Sequence, residues 1–174
     1  MIQQAGKTDI TSRSQCNVYD NGLLPVITAP MYSVVDKSNY KEFTNLGIQV
    51  CLPRNIAANR NDKVFESFSL DDFISIFVDG DEDGLLFEEI NRVCIDTAVG
   101  HMTKLHNAIR TAKDKFGDNL IIIAGNVSSV DAFIELAKTG VDYIRVGIGG
   151  GGGCSTTTNT GVGQADLEEL IKEC

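Results

Sequence analysis

The sequence predicts an α/β fold, a parallel sheet with helices packed outside it. Short apolar runs alternate with longer amphipathic stretches about six times along the chain. Several of the short runs are apolar on both faces, as strands buried in a parallel sheet are. Polar and reactive residues fall repeatedly just after these runs, at the strand ends where parallel α/β folds carry function.

Leu23–Ala29 is the first predicted strand, and Pro30-Met31 follows it. Lys37 to Leu46 has a helical pattern, and Ile48–Leu52 is the second strand. Ala57 to Leu70 is polar and poorly periodic, a weak helix or a loop. Phe73–Val78 and Arg92–Ile95 are the third and fourth strands, the latter followed by Asp96-Thr-Ala-Val-Gly-His101. Met102 to Phe116 is helical, with Leu105, Ile109, Ala112 and Phe116 spaced to share one face. Leu120–Ala124 is the fifth strand, with Gly125-Asn126 after it. Ser128-Ser129 supply N-caps for a helix over Val130 to Lys138, and Gly140 suits the position just past its end. Tyr143–Val146, the sixth strand, runs into Gly147-Ile-Gly149 and a glycine tract ending at Cys154-Ser-Thr-Thr157.

That glycine tract carries the most chemistry. Without Cβ atoms its N–H groups and carbonyls can turn toward a phosphate or a cation, and a thiol at its lip is a candidate nucleophile. A flexible linker with an incidental cysteine is the alternative. Convergence of polar groups after four separate strands favours the site, because one sheet mouth would gather them.

Composition limits the remaining classes. The chain has 174 residues, enough for one core, and 43% apolar with 22% charged residues is ordinary for a globular domain. A net charge of −9 argues against nucleic acid as a partner. No apolar run is long enough to span a membrane, and the N-terminus lacks a signal-peptide core, so no membrane partner and a cytoplasmic location are expected. Asp79-Gly-Asp-Glu-Asp-Gly84 misses the spacing of a calcium loop and reads as a solvated turn. Five widely spaced cysteines without a C-x-x-C read as reduced thiols. His101 and His106 miss the i, i+4 spacing of a helical metal pair and are expected at surface or hinge positions.

Six segments together resemble one family. Ser12-Arg-Ser14, Leu24-Pro-Val-Ile-Thr-Ala-Pro-Met31, Asp96-Thr-Ala-Val-Gly-His101, Ile123-Ala-Gly-Asn-Val127, Val146-Gly-Ile-Gly149 ending at Cys154, and Thr160-Gly-Val-Gly163 are similar, in order, to the IMP dehydrogenase and GMP reductase family. The resemblance implies a TIM (β/α)8 barrel, of which this sequence holds about six βα units in a single catalytic domain over residues 1–174. It also implies hydride transfer at C2 of a purine nucleotide, IMP or GMP, through a covalent bond to cysteine. Cys154 would be the nucleophile, with Thr156 handling the attacking water or leaving ammonia. Met31, Gly151, Gly152 and Cys154 would meet the nucleotide; for Met31, core packing is the competing reading. Asp96 with Thr97, Asn126, and Gly147, Ile148 and Gly149 would face NAD, or NADPH in a reductase. A strand-end cap or a structural ion pair is the other reading of Asp96. The carbonyls of Gly149, Gly151 and Cys154 would ligate potassium in a dehydrogenase. The family habit is a homo-tetramer.

The departures are as informative. The family loop usually reads Gly-Ile-Gly-Pro-Gly-Ser-x-Cys, and here Gly150, Gly152 and Gly153 replace its proline, serine and apolar residue. No CBS-domain pair is inserted. The sequence ends at Cys174, within what would be the sixth helix, so an incomplete barrel is expected, completed by another chain or belonging to a longer product. Asp96-Thr-Ala-Val-Gly-His101 favours a dehydrogenase over a reductase, and the shortness leans the other way. A non-catalytic nucleotide-binding remnant is the second expectation.

Overall fold

The computed structural model describes residues 12–15, 22–53, 73–76, 91–149, 155–161, 163 and 170–172. Five strands form one sheet: β1 (Cys51–Leu52), β2 (Phe73–Ile76), β3 (Arg92–Asp96), β4 (Ile121–Val127) and β5 (Tyr143–Val146). Every neighbouring pair is parallel, and the spatial order is the chain order, β1 to β5. Doubly wound sheets reverse direction partway across. This one advances strand by strand to one side, as a barrel wall does.

The two faces of the sheet differ in the same sense. Side chains alternate along a strand, so one set of positions faces each way. Val50, Leu52, Val93, Ile95, Ile122, Ala124 and Val127 share a buried cluster with helix residues Leu105, Ile109, Ala112 and Leu136. Among the described residues, the opposite face holds a second cluster built from strand residues, Cys51, Phe73, Cys94 and Ile123, with Ile121 against it. Helices α1 (Tyr40–Asn45), α2 (Thr103–Phe116) and α3 (Val130–Ala137) all contribute to the first cluster. They therefore cover one face, and the other turns inward.

Local chemistry explains most element boundaries. The first predicted strand is reduced to isolated bridge residues, Leu23 and Ile27, the latter parallel to Gln49, because Pro25 between them has no N–H to donate to a ladder. Helix α1 starts at Tyr40, later than its pattern suggests. Asp36 Oδ1 accepts the Ser38 N–H at 2.7 Å and the Asn39 N–H at 3.2 Å, and this turn holds the preceding residues out of the helix. Ser129 Oγ accepts the Ala132 N–H at 3.3 Å, the expected N-cap of α3, and Gly140 past its end has φ +87°. The polar segment Ala57 to Leu70 lies outside the described residues, as does the acidic run Asp79 to Asp83.

One difference is a helix the sequence gives no reason to expect, α4 (Ser155–Thr160), directly after the glycine tract. Its four threonines are poor helix formers. Tertiary contact supports it: the Thr157 side chain sits against the loop glycines Gly149 and Gly163. Among the described residues no helix is long and apolar enough to cross a membrane.

Candidate active site at the carboxyl ends of the strands

The carboxyl ends of β3, β4 and β5 are laced together by hydrogen bonds. Thr97 donates twice to the Gly125 carbonyl, from its N–H at 2.8 Å and from Oγ1 at 2.9 Å. Asn126 returns its N–H to the Thr97 carbonyl at 2.8 Å, and the Gly100 N–H donates to the Asn126 carbonyl at 2.7 Å. On the other side Asn126 Nδ2 donates to the Gly147 carbonyl at 2.8 Å, and the Gly147 N–H donates to the Val127 carbonyl at 2.7 Å. The loops after three strands are thus one connected polar layer. Thr97, Asn126 and Gly147, each singled out from the sequence, belong to it.

Asp96 ends β3 and is ion-paired with Arg145 of β5. The pair spans the intervening strand at Gly125, where an added Cβ would lie 2.6 Å from the Arg145 carbonyl oxygen. The ion-pair reading of Asp96 is therefore realised, and its carboxylate still stands at the strand end beside the polar layer. Sequence reasoning missed Arg145 and the role of Gly125. The available signal was a single charge in the otherwise apolar run Tyr143-Ile-Arg-Val146.

Beyond β5 the backbone turns through left-handed conformations at Gly147, φ +101°, and Gly149, φ +72°, which only glycine adopts readily. Ile148 between them is buried, 4% exposed, and so anchors the root of the loop. Gly151, Gly152 and Cys154 lie outside the described residues. Thr156 falls in α4, but its side chain is outside the described part. Of the three carbonyls expected to ligate potassium, Gly149 alone is among the described residues. Among those residues no group of three or more His, Cys, Asp or Glu side chains could hold a metal ion. Met31 is 54% exposed, which overturns its core-packing alternative.

A cavity of about 250 Å³ opens between the loop after β3 and the start of α3. Asn126 and Ile148 line it together with Gly100, His101, Ser128 and Asp131. His106 corrects the surface or hinge expectation: it is 8% exposed, and its Nε2 lies 3.3 Å from the Gly100 carbonyl. It shares the buried stripe of α2 with Leu105 and Ile109, so helical spacing could have found it. On the inward face below Asp96, Cys51 and Cys94 are free, buried thiols. Hydrogen bonding to Cys94, and then burial, hold the Cys51 thiol above its ordinary range.

Fold and site define a parallel α/β protein, wound in one direction, whose polar residues gather at the carboxyl ends of its strands. The family model for the IMP dehydrogenase / GMP reductase domain matches residues 81–174. The chain belongs to the IMP dehydrogenase / GMP reductase family. A GMP reductase from Bacillus licheniformis is 32% identical over 170 residues, covering 90% of this chain and 52% of that protein. An inosine-5′-monophosphate dehydrogenase from Chlorobaculum tepidum is 38% identical over 90 residues, 52% of this chain and 18% of that protein. The crystal structure of inosine 5′ monophosphate dehydrogenase from Legionella pneumophila superposes with a TM-score of 0.68 at 28% identity, covering 81% of this chain and 45% of that one. The chain thus spans about half the length of the Bacillus enzyme and of the Legionella structure.

Proposed function

We propose that residues 1–174 form a single domain, an arc of a (β/α)8 barrel, that takes part in nicotinamide-dependent redox chemistry on a purine nucleotide. The observation that carries this reading is the polar layer that ties Thr97, Asn126 and Gly147 together beside Asp96, at the strand ends. A carboxylate at that place accepts ribose hydroxyls. The amide of Asn126 and the open backbone of Gly147, Ile148 and Gly149 allow close approach of a flat ring. The described residues therefore fit a nicotinamide dinucleotide, which when bound supplies the hydride acceptor or donor.

The chain's own residues do the rest. The Cys154 thiolate adds to C2 of the purine ring, and Thr156, two residues on, serves as the hydroxyl that moves a proton for the attacking water or leaving ammonia. Met31, exposed at the end of the first strand segment, and Gly151 and Gly152 contribute to the nucleotide pocket. Potassium ligation by the carbonyls of Gly149, Gly151 and Cys154 belongs to the same reading, and no step is routed through it.

Within the family, the motif Asp96-Thr-Ala-Val-Gly-His101 favours IMP dehydrogenase, NAD-dependent oxidation of IMP to XMP. The second reading is GMP reductase, and alignment to the Bacillus licheniformis GMP reductase over 90% of this chain favours it. Association with further copies of the chain, or with a complementing chain, belongs to either reading. Steady-state absorbance at 340 nm separates them: NADH appears with IMP and NAD, or NADPH disappears with GMP. If neither occurs, and neither IMP nor GMP raises the melting temperature, the catalytic proposal fails and a non-catalytic remnant replaces it.

A further inference from the structure

Arg145 is a charged residue of this rim that the proposed chemistry leaves without a task. The register places Asp96 opposite Gly125 and Gly125 opposite Arg145, so the three form one row across β3, β4 and β5. Neighbouring strands lie about 4.8 Å apart, so the outer two backbones are separated by roughly 9–10 Å. A carboxylate and a guanidinium bridge that span only where the middle residue leaves the inward face open. Gly125 does so; a Cβ there would lie 2.6 Å from the Arg145 carbonyl oxygen and 2.8 Å from the Arg145 Cβ.

Across this gap Arg145 Nη1 donates to Asp96 Oδ1. The side chains are 30% and 24% exposed, so water screens the pair less than it would a surface pair. Cys94 lies two residues before Asp96 on the same strand and so on the same inward face, and with hydrogen bonding to Cys51 the positive charge of Arg145 helps hold its thiol below the ordinary range. Arginine's planar fork is suited to holding a carboxylate in a fixed orientation. Two residues after Arg145, the Gly147 carbonyl is held by Asn126 Nδ2 at 2.8 Å. Arg145, the partner of the Asp96 carboxylate, thus stands two residues before the root of the glycine loop.

We infer that Arg145 is a positioning residue: it acts through Asp96, fixing that carboxylate for the hydroxyls of the nicotinamide riboside, and Gly125 is the gap that lets it do so. The inference rests on the reading of Asp96 as the cofactor carboxylate. A purely structural pair would affect stability and leave ligand discrimination untouched.

Isothermal titration of the full chain with nicotinamide mononucleotide, and with AMP as the ligand lacking nicotinamide riboside, tests it. Asp96→Asn and Arg145→Gln should each weaken the nicotinamide ligand about tenfold, the scale of one charge-assisted hydrogen bond, and leave AMP unchanged. The double variant should bind no more weakly than either single one, because both changes remove the same interaction. Arg145→Lys, which keeps the charge, should recover part of the affinity. If Asp96→Asn weakens binding and Arg145→Gln does not, the positioning role is overturned while the reading of Asp96 stands. If Asp96→Asn binds as wild type does, or the wild-type chain does not bind nicotinamide mononucleotide, the cofactor reading itself fails and takes the inference with it. A thermal double-mutant cycle on the same variants checks the pair without any ligand. Additive losses would also overturn the inference.

Discussion

Both ends of the sheet carry a buried-edge ion pair, and the two pairs are built for different work. At the amino ends of β4 and β5, Lys113 Nζ lies 2.6 Å from Asp142 Oδ2 and donates to the Leu120 carbonyl at 2.7 Å. Asp142 Oδ2 in turn accepts the Ile122 N–H at 2.7 Å. These bonds close the main chain of a core strand onto α2. At the carboxyl ends, the Asp96–Arg145 pair runs from strand to strand, and the polar layer beside it ends on loop backbone at Gly100 and Gly147. The amino rim satisfies groups that the fold itself would otherwise leave unpaired. The carboxyl rim arranges groups around loops, where a ligand can reach them.

Substitution should separate the two ends. Asp142→Ala strands the Ile122 amide and leaves Lys113, 14% exposed, without its carboxylate. Unfolding stability should fall by about 2 kcal/mol, and ligand affinity of the folded fraction should not change. Chemical denaturation and ligand titration on the same sample read both. Arg145→Gln should do the reverse, costing about 1 kcal/mol of stability or less while impairing nicotinamide binding. Equal stability losses at both rims would erase the distinction.

A smaller effect belongs to the turn before α1. The Ser38 hydroxyl, then the Ser38 and Asn39 N–H groups, hold the Asp36 carboxyl below its ordinary value of 3.8. A depressed folded-state value means the turn's contribution is present above the unfolded value and is lost as pH falls through the folded one. The melting-temperature gap between wild type and Asp36→Asn should therefore be largest at about pH 5 and above, and should narrow below about pH 3.8. A gap that stays constant into acid would remove the carboxylate from this account.

Much of this contrast was legible in the sequence, and the parts that were not have physical causes. The helical spacing of Leu105, Ile109 and Ala112 correctly marks the buried stripe of α2, since a stripe needs only hydrophobic periodicity. The pattern ends the fifth predicted strand at Ala124, short of the observed end at Val127. Gly125-Asn126 has the composition of a turn, but pairing with Asp96 on one side and Arg145 on the other draws the glycine into β4. Thr97, Asn126 and Gly147 stood out as polar punctuation after strands, and the structure joins them directly. Arg145 did not stand out, because its partner lies two strands away and register is not written in a single segment. Helix α4 was invisible for a related reason. Four threonines oppose a helix locally, and the contacts of Thr157 with Gly149 and Gly163 depend on a fold already formed.

The central claim is that ligands meet the carboxyl rim and that the amino rim only holds the fold. Amide chemical-shift mapping on the 15N-labelled full chain, with a purine nucleotide and a nicotinamide dinucleotide added in turn, tests it most directly. Shifts are expected at Asp96 to His101, Asn126 to Ser129 and Gly147 to Gly149, with Ile121, Ile122 and Asp142 unmoved. Shifts concentrated at Ile122, Asp142 and Lys113, or none with either ligand, would contradict it.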